Sequence, residues 1–432
     1  DMAPAKMFYG WWVVLAFSVM VFLSSGLRFT VGPFLKPVVT DLDLDRGSFS
    51  LVISLSLFLF GAFMPLVGRL VDRFGSRLVV SGGSLVLAGA LVATGLSTTL
   101  WHLFLFYGVL VALGLSATGH VVASAIIARW FVKQRGTAVS VLSGASMAGM
   151  TLLVPVVMSL ILAHGWRQTY GLLGLFTLLL ILPLGLWVVR DRPEAMGLLP
   201  DGESPAGAAE KVSAGSAERT KLGDAIQERS FWQLTGGLFT CGFSMTLLSA
   251  HGVPMLTDHG FHPMVAASAL GFLGGSAIVG SVILGLLSDR FGRRPMLALV
   301  YVLRALAFTM LFFARDPVTL MVVAAIGGFG MSGSMAMTST LTADLFGRFS
   351  VGSIMGMIFL SHQAGAALGS WLAGFLFDLS GGYGLAYAVA CSLLLVGATL
   401  SITIDDRPRR VSLPMVARPM PCRLEAREPP RQ

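Results

Sequence analysis

The chain has 432 residues, 55% of them apolar and 12% charged, with a mean hydropathy of +0.80. An average soluble domain is about 45–50% apolar and about 25% charged. The difference excludes a soluble enzyme, a disordered chain and a nucleic-acid binder, and three cysteines (Cys241, Cys391, Cys422) make neither a disulfide framework nor a metal site. Twelve membrane-crossing helices of about 20 residues need roughly 240 residues, and the apolar fraction of this chain supplies that many.

In chain order, the first apolar run, residues 8–31, is too long for a signal-peptide core and lacks a small-residue cleavage site, so it reads as a retained spanning helix. Apolar runs near 9–35, 48–70, 78–98, 101–128, 136–163 and 167–189 predict six spans. Residues 190–229, rich in Gly, Ala, Ser, Pro and charge, predict a linker. Runs near 231–256, 265–288, 296–313, 318–342, 351–376 and 383–404 predict six more spans, and the Pro- and Arg-rich residues 405–432 predict a disordered tail. The expectation is an all-α membrane protein of two six-helix bundles, residues 1–189 and 230–404.

With the N-terminus inside, 24 of the 30 Lys and Arg residues fall in inside loops or termini. Four, Lys36, Arg46, Arg167 and Arg315, fall outside, and Arg28 and Arg304 lie within spans. That asymmetry satisfies the positive-inside rule one way round and predicts two cytoplasmic termini.

The halves repeat one another. Gly68-Arg-Leu-Val-Asp72-Arg73-Phe-Gly75-Ser-Arg77 follows the second span, and Gly285-Leu-Leu-Ser-Asp289-Arg290-Phe-Gly292-Arg-Arg294 follows the eighth, with Asp72 and Asp289 separated by 217 residues. Gly165-Trp166 with Tyr170 and Gly382-Tyr383 with Tyr387 keep the same offset. Parallel halves of this kind place a site at midplane between them. In the repeated loop, Gly68 and Gly285 would let helices approach closely, and Gly75 and Gly292 permit a positive φ. Asp72 and Asp289 can accept bonds from helix N-terminal amides or from neighbouring arginines such as Arg73 and Arg290. Such a segment serves either as a plain anchored turn or as a lock that joins the inner ends in one conformation and frees them in another.

These loops resemble the signature of the major facilitator superfamily. Phe8-Tyr9-Gly10-Trp11-Trp12, Trp130-Phe131 with Arg135-Gly136, Gly165-Trp166-Arg167, His251-Gly-Val-Pro254 with Thr257-Asp258, and His362-Gln363 with Gly365 resemble its bacterial monocarboxylate-transporter-like branch, which includes the oxalate–formate antiporters. The resemblance implies a bacterial inner-membrane transporter working by alternating access, monomeric, without cofactor, metal or enzymatic activity. Its partners would be a small organic anion, protons and the lipid bilayer. Unlike related anion transporters, the chain has no Arg in its eighth span, Val265 to Ser288. It also lacks the Gly-Pro pair of the drug-efflux branch in Ser143-Gly144-Ala-Ser-Met-Ala-Gly149, which weighs mildly against the alternative, efflux of amphipathic drugs or metabolites.

A cation near the centre of a spanning helix costs about 2.5–3.5 kcal/mol on insertion scales. Arg28 either snorkels to the headgroups or faces a cavity, and no span contains an Asp or Glu to neutralise it. In the second case it is a ready seat for a carboxylate, which a guanidinium grips with two parallel bonds. The resemblance supports that case, because monocarboxylate transporters carry a cation in this region of the first helix. Arg304 reads as a structural cation near the inner leaflet or a partner of the nearby loop. His120, His251 and His362 lie within spans, where histidine can bind an anion or carry a proton, or simply pack. They join Arg28 and Gln363 as candidate substrate-binding residues. Gly144, Gly149, Gly365 and Gly369 permit close helix crossings, and Met331, Met335 and Met337 form either a soft cavity wall or ordinary packing.

Overall fold

The computed structural model describes residues 8–131, 134–199, 201, 222–331, 333–346 and 351–405. Most of the expected linker, nearly all of the tail, Cys422 and the side chain of Asp289 lie outside the described residues. The described chain is built of helices, nine of them long and apolar enough to cross a membrane among the described residues. One of the nine, residues 136–188, is 53 residues long. At 1.5 Å per residue it would reach about 80 Å against a hydrocarbon thickness of about 30 Å. It divides at Gly165, whose φ of 78° is open to glycine without strain. Two further helices, α10 (Arg229–Asp258) and α15 (Val351–Ser380), each have 30 residues and bring the spans among the described residues to the expected twelve.

In the first half, α1 (Tyr9–Phe29) and α2 (Val31–Asp41) form one span interrupted at Thr30. Next come α3 (Arg46–Phe74) and α4 (Ser76–Gly95). The fourth span is assembled from α5 (Leu100–Leu103), a π-helical stretch (Phe104–Val111), α6 (Ala112–Thr118) and α7 (His120–Trp130). The fifth and sixth are the two arms of α8 (Arg135–Pro183). In the second half a short α9 (Leu222–Ile226) precedes α10, α11 (Pro263–Phe291), α12 (Arg293–Phe313), α13 (Pro317–Phe329), α14 (Gly333–Phe346), α15 and α16 (Gly384–Ile402). The fourth and tenth spans, related by the repeat, are both interrupted: one at Gly119, the other between Phe329 and Gly333.

Small residues set the tightest crossings. A Cβ on Gly149 would collide with the Phe22 carbonyl of α1, and one on Gly365 or Gly369 with the carbonyls of Phe239 or Phe243 of α10. Gly144 does not act this way, because nothing lies within 4 Å of the position its Cβ would take. The aromatic sequence motifs also build structure. The Trp130 indole donates to the Arg190 carbonyl at 2.9 Å within a cluster of Phe8, Tyr9, Trp11 and Phe131. Trp166 and Arg167 both donate to Asp41.

The two ends of the bundle differ. At the end away from the repeated loops, Asp258 bonds to Lys36 at 2.6 Å and to Arg46 at 2.7 Å, and Arg46 also reaches the Tyr383 hydroxyl at 2.8 Å. The Asp378 carboxylate accepts from the backbone amides of Arg46 and Gly47, the N-terminus of α3, where a negative charge is favoured. Burial acts to raise the Asp258 carboxyl, but the bonds from Arg46 and Lys36 outweigh it and hold the group below the usual carboxylate range. These contacts tie one half to the other. At the repeated-loop end, Asp72 pairs with Arg129 and Arg293 with Asp344, each within its own half.

The loop motif is placed only partly as expected. Gly75 and Gly292 take φ of 82° and 90°. The amide that opens α4, Ser76 N–H, donates to Asp191 and not to Asp72, and Asp72 pairs with the distant Arg129 rather than a neighbouring arginine. Arg73 and Arg290 lie over the rings of Phe74 and Phe291. Gly68 and Gly285 face open space, with nothing within 4 Å of a would-be Cβ, so they mediate no close approach in this conformation.

Candidate functional site

Arg28 stands in the last turn of α1, just before the interruption at Thr30, where a helix C-terminus favours a cation. Its side chain lines a cavity between the halves, formed by α1, α2, α3 and the fourth span on one side and α10 on the other. Phe60, Tyr107 and Leu57 from the first half, and Met245, Thr246 and Ser249 from the second, complete most of the wall, and no Asp or Glu contributes to it. The space open to the centre of a water molecule is about 20 Å³, room for one or two waters. The guanidinium lies 5.0 Å from the centroid of the Phe60 ring, and its Nη2 donates to Gln363 Oε1 at a long 3.5 Å. Of the two readings of Arg28, the structure therefore supports the cavity.

Gln363 is fully buried on α15 and crosses between the halves: its Nε2 donates to the Leu57 carbonyl of α3 at 3.1 Å. Its Oε1 also accepts from His362 Nδ1 at 3.0 Å, and the His362 ring stacks on Phe359. Arg28, Gln363 and His362 thus form one contiguous polar group. The other two histidines stand apart from it. His251 is fully buried in the seal between the halves, with Nε2 donating to the Ser370 carbonyl at 2.9 Å and Nδ1 accepting from the Tyr383 hydroxyl at 3.1 Å. His120 opens α7 and bonds to Ser124 at 3.0 Å and Ser143 at 3.5 Å, inside the first half. Neither lines the Arg28 cavity, because the interruption at Gly119 and the seal chemistry engage them elsewhere.

Arg304 is bonded as a structural cation, as expected, but not at the expected place. It lies midway along α12, 3% exposed, inside the second half and not near the loop. Its Nη2 donates to the carbonyls of Gly330 (3.2 Å) and Met331 (2.7 Å), groups freed where α13 ends. Nη1 donates to Cys241 Sγ at 3.2 Å and to Ser244 Oγ at 3.2 Å. A guanidinium here takes the place of the backbone bonds that the broken tenth span lacks. It also borders a second, mostly apolar cavity with Met331, while Met337 is packed in the core.

Sequence reasoning missed the cavity partners Phe60 and Tyr107 and the sealing pair Arg46–Asp258. Aromatics in an apolar run carry no signal of their own. The sealing pair did carry one, opposite charges at the far ends of the second and seventh spans.

Fold and site together define a two-bundle membrane transporter with its cavity between the halves. The profile of the Major Facilitator Superfamily matches residues 17–284 and again residues 234–425, and the chain belongs to that family. It is 26% identical over 398 residues to the uncharacterized MFS-type transporter YcxA of Bacillus subtilis, covering 91% of this chain and 94% of that one. It is also 26% identical over 423 residues to monocarboxylate transporter 13 of Rattus norvegicus (97% and 94% covered). Identity to monocarboxylate transporter 2 of Homo sapiens is 24% over 421 residues (92% and 85% covered). Among solved structures, a bacterial homolog to the human lysosomal transporter Spinster, inward-facing and occupied, superposes with a TM-score of 0.68 at 19% identity, covering 91% of this chain and 93% of that chain.

Proposed function

We propose that this transporter carries small organic anions, monocarboxylates such as lactate or pyruvate before others, coupled to protons and moved by alternating access. One observation carries the reading: Arg28 faces a cavity between the halves whose walls hold no carboxylate. A cation so placed gains most from a ligand that brings its own negative charge. The single cation of the wall favours one carboxylate over two. The relatives named monocarboxylate transporters support the same class.

In this reading the chain divides at residues 189/190, 229/230 and 404/405, and the repeated loops face the cytoplasm of a bacterium. The outer end is then the one sealed by Lys36, Arg46, Asp258, Tyr383 and Asp378. Gly68, Asp72, Arg73 and Gly75, with Gly285, Asp289, Arg290 and Gly292, act as the lock that engages when the inner ends close. His362, bonded to Gln363 beside the site, is the histidine best placed to carry the proton. The test is uptake of labelled lactate and pyruvate into proteoliposomes. Arg28→Ala should abolish it at unchanged membrane abundance, and undiminished uptake would remove Arg28 from the site. His362→Gln should flatten the acidic optimum, and a profile identical to that of the parent protein assigns the proton elsewhere.

A further inference from the structure

Gln363 is more than a lining residue. It reaches out of α15 into the first half, and the first half is shaped to receive it: a Cβ on Gly61 would stand 2.9 Å from Gln363 Cγ, so only glycine leaves room. The orientation of the amide is fixed by its partners. The Leu57 carbonyl can only accept, so Nε2 faces it, and Oε1 is left to accept from Arg28 Nη2 and His362 Nδ1. Of the hydrogen bonds between the halves among the described residues, those of Gln363 lie furthest from the Arg46–Asp258 end.

We propose that Gln363 is a surrogate ligand and latch: its Oε1 occupies Arg28 in place of a carboxylate while its Nε2 ties α15 to α3, so that an arriving carboxylate displaces one arm and eases release of the other. A neutral amide oxygen at 3.5 Å is a weak acceptor for a guanidinium, and a carboxylate at ordinary distance displaces it. Separating the halves without that exchange would strand Arg28 in the apolar cavity with no acceptor, so movement of the unloaded protein is penalised. The substrate removes the penalty by its differential interaction with the two states. This rests on the reading of Arg28 as the carboxylate site, but the latch itself can be tested without any ligand.

Two substitutions of similar size act in opposite directions. Gln363→Leu removes both arms, and Gln363→Glu offers Arg28 a permanent carboxylate. In a chain whose native cysteines are replaced by serine or alanine, a cysteine at Ser54, a residue bonded across the interface to the Ala367 carbonyl, reports separation of the halves through maleimide labelling. With no ligand present, Gln363→Leu should raise the labelling rate at least threefold and Gln363→Glu should lower it. Equal rates in the three proteins overturn the latch. In a second arm, binding of lactate, pyruvate and benzoate is measured by thermal shift. Gln363→Leu should tighten binding severalfold, because competition is gone, and Gln363→Glu should weaken it at least tenfold. Weaker binding in Gln363→Leu would make Gln363 a direct substrate ligand and overturn the surrogate role. If no carboxylate binds even the parent protein, the proposed function fails while the labelling arm still decides on the latch.

Discussion

Two guanidinium groups sit in the apolar body of this protein, and the sequence presents them alike, each alone in a span with no acid beside it. The structure treats them differently. Arg304 is 3% exposed and surrounded by acceptors: the carbonyls of Gly330 and Met331, the Cys241 thiol, Ser244 and, at 3.4 Å, Ser334. Arg28 has one long bond to Gln363 and an aromatic face. A cation whose two terminal nitrogens are both surrounded by acceptors closes a defect in the fold, whereas a nearly unpartnered one beside a cavity has capacity left for a ligand. The mere presence of a buried charge does not separate the two cases; the count of acceptors around it does.

The comparison breaks most visibly at Arg304. Arg304→Leu leaves the carbonyls of Gly330 and Met331 at the break of the tenth span without this donor, and a buried acceptor left unsatisfied costs about 1–3 kcal/mol. The expected result is a large fall in folded yield and melting temperature in detergent, with Arg304→Lys intermediate because an ammonium cannot reach both sides of the fork. A variant that melts with the parent protein would show that the break stands without the arginine.

Arg28→Gln should do the reverse. Carboxylate binding should weaken by about 1.5–3 kcal/mol, the range for a hydrogen bond to a charged group, or roughly 10- to 150-fold. The melting temperature without ligand should hold or rise, since an expensive charge is gone. A collapse of the fold instead would put Arg28 in the same structural class as Arg304.

The sealed end should respond more gently. Lys36, Arg46 and Asp258 are partly exposed, and pairs of that kind contribute about 0.2–1 kcal/mol each. Asp258→Asn should therefore shift the balance of conformations only a few-fold, read as labelling of a cysteine buried in the seal. The sign with pH follows from the carboxyl being held below its ordinary range. The stability it contributes is present at neutral and mildly acid pH, and is lost only as pH falls through that lowered value. A change of state between pH 5 and 8 must then come from another group, and in Asp258→Asn that change should persist unaltered.

Much of the architecture was legible because the bilayer allows few solutions. Runs of about 20 apolar residues and a 217-residue repeat give the number and order of the spans. What the sequence could not show is which side of each helix a residue occupies once helices are interrupted. His120, His251 and His362 look equivalent as letters, yet one bonds within the first half, one joins the seal and one meets the Arg28 group. Gly144 and Gly149, five residues apart, differ in the same way, and Gly68 and Gly285, which the sequence presents as close-packing residues, have nothing within 4 Å of a would-be Cβ.

His120 gives the smallest expected effect and the narrowest test of that distinction. Its partners, Ser124 one turn along α7 and Ser143 on α8, belong to the same half as itself, so no movement of one half against the other need break these bonds. Glutamine retains a donor and an acceptor at similar reach, so His120→Gln should change lactate or pyruvate affinity by less than about twofold, within the scatter of about 0.5 kcal/mol for substitutions away from special features. It should also leave the pH profile where His362→Gln moves it. If instead His120→Gln flattens the profile and His362→Gln does not, the titrating group lies on the first half. The polar cluster around Gln363 would then bind and gate without carrying the proton.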